Sequence, residues 1–218
     1  MMMTDWIQRW KDNKIGWHRD DPNSKLIEFV SCLQLTPGDT VFVPLCGKSK
    51  DMIYLAQQGY KVIGVELSAL AADQFFTDNK IAYQISQEES FEVYASDNIT
   101  IYSGDFFELT KQQLAAVVAV YDRAALIALP AGLRVKYAQH LYSIIEKGCR
   151  MLLLTLNYPQ SKISGPPYAV NKDEVASLYN DGFECQLLQC FNDIKNEPNF
   201  QRENVDFIEK ATYCLHKY

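Results

Sequence analysis

At 218 residues, 48% of them hydrophobic, and with a net charge of −6, the chain can bury a substantial core, and neither disorder nor a fibrous repeat fits it. An acidic balance without a lysine or arginine cluster argues against nucleic acid as a partner, since neutralising phosphates takes a concentrated basic patch. The six cysteines stand in apolar segments with no Cys-x-x-Cys and no histidine at ligand spacing, which reads as small buried hydrophobes in a reducing compartment and against a structural metal.

The N-terminus, MMMTDWIQRWKDNK, lacks the basic-then-apolar layout of a signal peptide. Later apolar runs such as LAAVVAVY and RMLLLTLNY are too short to span a bilayer. A cytoplasmic protein with no membrane partner is therefore expected. Residues 4–35 are amphipathic and hold all three tryptophans, Trp6, Trp10 and Trp17, as a helical cover over a sheet edge would. Apolar runs bounded by turn residues follow at 41–45, 62–65, 99–102, 117–121 and 151–156, too apolar for strands exposed on one face and suited to a mostly parallel sheet. Helical spacing predicts helices at 24–32, 49–58, 69–79, 132–146 and 173–180, with Ser68 capping the third. Residues 183–191 and 207–216 read as a terminal antiparallel hairpin joined by a long polar connection. With no Gly-, Ser- or Pro-rich linker, one α/β domain is expected, with residues 1–35 as the cover, 36–218 as the core, and a monomer as the assembly.

The stretch TVFVPLCGKSKDMIYLAQQGYKVIGVELS, residues 40–68, reads as strand, glycine turn, helix, strand, and then Glu66. An acid at the tip of a second strand is placed to grip ribose hydroxyls. Three readings compete. A nicotinamide or flavin site lacks its Gly-x-Gly-x-x-Gly. A phosphate loop is mimicked by Gly47-Lys48-Ser49, with VVAVYD ending at Asp122 as a magnesium strand, but Phe42 stands where the first glycine belongs. S-adenosylmethionine, a ligand without phosphates, needs only one glycine beside its methionine portion, and Gly47 is that glycine.

Other candidates have plain structural alternatives. Asp105 and Phe106 in YSGDFF follow the third strand, where an acid can accept from an adenine amino group and a ring can pack on it, or where an Asx turn closes. Asp122 and Arg123 in VYDRAAL form either a charged pair pointing into the ligand crevice or a salt bridge at the sheet edge. Trp10 and Trp17 act either as lids whose faces attract a sulfonium or as helix-packing residues. Gly165-Pro166-Pro167-Tyr168 offers a stiff wall for an acceptor pocket.

Taken together, W-x-x-x-W at Trp6 and Trp10, FVPLCGKSKDM, GVELS, FFTDN, GDFFEL, YDRAALIALP and GPPY resemble the bacterial form of the thiopurine S-methyltransferase family over nearly the whole chain. The resemblance implies a class I methyltransferase, Rossmann-like in fold, with a seven-stranded sheet whose last strand is antiparallel. It implies S-adenosyl-L-methionine as methyl donor and S-adenosyl-L-homocysteine as product. It places Trp10, Leu45, Glu66 and Arg123 on the cofactor, Asp105 near the adenine, and Trp17 beside cofactor and acceptor. No substrate role is carried onto Arg202.

The reaction so implied is direct displacement by an acceptor thiolate. Opposite charges vanish in it, so excluding water and positioning the reactants favour it, and no dedicated catalytic residue is expected. Arg123 is placed to orient the cofactor carboxylate or an anionic acceptor, with Trp17 and Pro166 as further substrate contacts. The expected substrates are small aromatic thiols, with inorganic selenium or tellurium species as further targets. An amine, hydroxyl or halide acceptor, or a non-catalytic cofactor-binding regulator, is the alternative.

Overall fold

In the computed structural model, which describes residues 3–218, one nine-stranded sheet runs through the chain. The first two methionines of the expected N-terminal cover lie outside the described residues. The strands are β1 (Thr40–Val43), β2 (Lys61–Glu66), β3 (Gln84–Glu88), β4 (Phe91–Ala95), β5 (Ile99–Ser103), β6 (Val117–Arg123), β7 (Arg150–Asn157), β8 (Phe183–Asn192) and β9 (Glu209–Lys217). Their order is β3-β4-β5-β2-β1-β6-β7-β9-β8. The run from β5 to β7 is parallel, and β9 lies antiparallel between β7 and β8.

Helices cover both faces: α1 (Met3–Lys11), α2 (Ser24–Phe29), α3 (Lys50–Gln57), α4 (Ala69–Asp78), α5 (Ala131–Ile144), α6 (Lys172–Tyr179) and α7 (Pro198–Arg202). Alternation along β1 sends Phe42 to the face shared with Tyr137, Leu141, Val175 and Tyr179 of α5 and α6. Val41 and Val43 go to the face shared with Leu26, Met52, Leu55 and Phe75 of α2 to α4. All four β1 residues are buried, as the unbroken apolar run requires of a strand covered on both sides. Side-chain caps start four of the helices: Asn23 accepts from the Lys25 N–H, Ser49 from Asp51, Ser68 from Ala71, and Asn171 from Glu174.

Two elements lie beyond the expected seven-stranded plan. The antiparallel hairpin β3–β4 extends the sheet beyond β5. Its outer strand, QISQE, is exposed throughout, so it shows no apolar face in the sequence, and its polar residues blunt an open sheet edge. The polar connection before β9 contains α7, and Phe200, Val205 and Ile208 form a small third core with Tyr158.

The chain passes from β1 outward to β2 and β5, then returns to the other side of β1 as β6. The connections after β1 and β6 therefore part in opposite directions at the strands' carboxyl ends. That divergence opens the crevice in which open α/β sheets hold ligands.

Candidate cofactor and acceptor site

 The floor of the crevice is the turn after β1. Leu45 and Gly47 both adopt left-handed backbone, with φ of 47° at Leu45 and 52° at Gly47. Such backbone is free of strain only for glycine, and a Cβ on Gly47 would also stand 3.0 Å from the Trp10 ring. The Cys46 N–H donates to the Val65 carbonyl at 2.9 Å, which ties the turn to β2. Gly64 permits that approach, since a Cβ there would lie 2.7 Å from the Cys46 sulfur.

Glu66, at the tip of β2, is 6% exposed. Its Oε2 accepts from the Gly47 N–H at 2.9 Å and its Oε1 from the Ser68 N–H at 2.9 Å. Burial pushes its carboxyl up from the ordinary range, against hydrogen bonds from the Ser68, Gly47 and Leu67 amides and the Trp10 side chain. Among the described residues it has no ion-pair partner. It is neither solvent-facing nor the cap of α4, a role Ser68 fills.

The phosphate-loop reading fails at both of its charged residues. Lys48 is turned to α4, where it meets Asp78 at 2.8 Å and Gln74 at 3.2 Å. Asp122 is fully buried, its Oδ2 accepting from the Tyr137 hydroxyl at 2.7 Å and its Oδ1 from the Leu126 N–H at 3.1 Å. The expected Asp122–Arg123 pair in the crevice is corrected on the same ground: successive strand residues point to opposite faces, so only Arg123 reaches the ligand side. Desolvation raises Asp122 to about 6.

Arg123 donates to the Trp17 backbone carbonyl at 3.3 Å. The Trp17 ring meets Trp6 and Trp10 edge-on, at centroid distances of 5.1 and 5.8 Å, so the three tryptophans form one cluster above the turn. Asp105 accepts from the Phe107 N–H at 3.0 Å and closes the Asx turn foreseen as its plain role. Phe106 is 3% exposed and packs on Tyr137 at 4.8 Å, which leaves little of its ring to a ligand. Pro166 borders the crevice, and its turn is held by hydrogen bonds from the Tyr158 hydroxyl to the Pro167 carbonyl and from the Tyr168 N–H to the Ile127 carbonyl. Arg202 contacts Asn199 and does not line the crevice.

Sequence reasoning missed Asp51. Its buried carboxylate accepts from the Asn23 N–H at 2.6 Å and the Tyr121 hydroxyl at 3.1 Å, joining the N-terminal segment to β6. In sequence it reads as an ordinary acid in the first turn of a helix. The cavity enclosed by these groups measures about 1260 Å³. That exceeds the roughly 300–1,000 Å³ of a single small-molecule pocket and accommodates a cofactor together with an acceptor.

The fold recurs in solved methyltransferases. A SAM-dependent methyltransferase of Anabaena variabilis aligns with a TM-score of 0.67 at 15% identity, covering 99% of this chain and 95% of the other. A phosphoethanolamine N-methyltransferase 2 of Haemonchus contortus, solved with S-adenosylhomocysteine, aligns at 0.68 and 11% identity, over 100% of this chain and 61% of that one. The fold is thus that of the class I methyltransferases. The family model for thiopurine S-methyltransferase matches residues 1–218. Thiopurine S-methyltransferases of Nitrosospira multiformis and Bordetella petrii are 42% and 40% identical, over 96% and 97% of each chain. The chain belongs to the thiopurine S-methyltransferase family.

Proposed function

We propose that this enzyme methylates the sulfur of small aromatic or heterocyclic thiols, for which thiopurines are diagnostic acceptors. The observation that carries the reading is the continuity of the cavity from Glu66 and Gly47, on the cofactor side, to an apolar wall of Ile163, Pro166, Phe200 and Ile208. The buried Glu66 carboxylate suits ribose hydroxyls, because it lines the cavity at the tip of β2 and has no ion-pair partner among the described residues. Leu45 and Gly47 border the methionine portion, Trp10 covers them, and Asp105 stands toward the adenine.

When bound, the cofactor supplies an electrophilic methyl group on a sulfonium centre. The tryptophan cluster excludes water from that region, and Arg123, whose fork holds the cover at Trp17, orients a carboxylate or an anionic acceptor. His18 is the histidine that lines the cavity. Burial first, and then the charge of Lys48, lowers its pKa, so it is neutral at pH 7. An acceptor already ionised as thiolate needs no proton removed by the protein. In this reading the chain acts as a single domain and a monomer, with residues 1–35 as its cover.

A panel of thiols, amines, alcohols and halides with labelled S-adenosylmethionine tests the proposal. Transfer to aromatic thiols at the highest kcat/KM is expected. Transfer confined to the other acceptors, or cofactor binding with no transfer at all, overturns it.

A further inference from the structure

All six cysteines are free, and two of them, 182 positions apart in sequence, meet. Cys32 lies in the short 3-10 turn Val30–Leu33 that follows α2, at the root of the N-terminal cover. Cys214 lies on β9, opposite Leu152 of β7. The Cys214 thiol donates to the Cys32 carbonyl oxygen at 3.5 Å, and the two side chains are near enough to shift each other's titration. Arg150, two residues before Leu152 on the same strand, places its positive charge near the Cys214 thiol.

We infer that Cys214 and Cys32 form a peroxide-responsive dithiol, with Cys214 as the attacking sulfur and Cys32 as the resolving one. The surroundings select the attacker. Interaction with the Cys32 side chain pulls the Cys214 thiol down to about 7 against its burial, with help from Arg150, and raises Cys32. Burial raises Cys46, Cys149, Cys185 and Cys190. Thiolate character and reaction with peroxide are thereby concentrated on one sulfur.

The chemistry balances with a hydroperoxide as the two-electron oxidant. The Cys214 thiolate attacks one peroxide oxygen, the O–O bond breaks, and the departing hydroxide or alkoxide takes up a proton. The Cys32 sulfur then attacks the resulting sulfenic acid, the S–O bond breaks, and the hydroxide leaves as water with the Cys32 proton. The new S–S bond joins the root of the cover to the last strand across a loop of most of the chain, so the oxidised protein resists unfolding.

Treatment of the purified chain with stoichiometric hydrogen peroxide, followed by alkylation and peptide mass spectrometry, tests this. A Cys32–Cys214 cross-linked peptide, lost on adding dithiothreitol, is expected, with a Tm higher by about 5 °C or more. In Cys32→Ser, a dimedone adduct is expected on Cys214. In Arg150→Met, with the thiols intact, the oxidation rate is expected to fall about tenfold. Oxidation that falls first on another cysteine, or a Cys214 that passes to sulfinic acid with Cys32 still free, overturns the inference. So does an unchanged rate in Arg150→Met.

Discussion

Glu66 holds the turn that shapes the site through the Gly47 and Ser68 amides, and in the proposed function it also meets the ligand. Removing its carboxylate leaves the Gly47 and Ser68 amides unpaired and, in the proposed function, deprives ribose hydroxyls of an acceptor. Hydrogen bonds to a charged group contribute roughly 1.5–3 kcal/mol each, so Glu66→Ala is expected to weaken S-adenosylmethionine binding at least about tenfold, with Glu66→Gln between it and the parent. Calorimetry giving the parent affinity for Glu66→Ala would remove the residue from the ribose site. For Arg123→Lys, the charge persists but the fork does not, and a several-fold loss in cofactor affinity or turnover is expected. Titration and steady-state kinetics that both match the parent would dismiss this role.

At the scale of elements, the N-terminal segment is fastened at two points, by Arg123 at Trp17 and by Asp51 at Asn23. Asp51→Ala removes the second fastening. Faster amide hydrogen exchange over residues 17–25, against unchanged exchange in β5, is the expected result, together with a raised KM for S-adenosylmethionine. Exchange at the parent rate in that segment would show that Asp51 does not hold it.

The five parallel strands and their helices were legible because each strand is apolar without interruption and each helix has a periodic face. The β3–β4 hairpin was not, because QISQE exposes both of its faces and has no buried side to betray it. That Glu66 and Gly47 border the crevice was legible from their places in the βαβ unit. Asp51 was not, since only the folded chain brings Asn23 and Tyr121 to it, and the direction of Asp122 depends on strand register that spacing alone does not give.

For the molecule as a whole, Asp122 makes stability depend on pH. Its carboxyl is raised from 3.8 to about 6, chiefly by burial, with hydrogen bonds from Tyr137 and the Leu126 and Ala125 amides acting the other way. Below about pH 3.8 both folded and unfolded states hold the proton. As pH rises from there through about 6, the unfolded state releases it first, and stability falls by up to about 3 kcal/mol. Asp122→Asn keeps an acceptor for Leu126 and cannot ionise. Its stability measured by urea unfolding should therefore lack this part of the decline between pH 4 and 6, and a difference from the parent that does not change with pH would refute the assignment.

The bond from Arg123 ends on a carbonyl, a group that every residue at position 17 possesses. That bond is therefore indifferent to the side chain there, while the ring itself borders the cavity. Exchanging that one side chain can reshape the pocket while the bond from Arg123 to the cover persists, which makes position 17 the natural place to begin retuning acceptor preference.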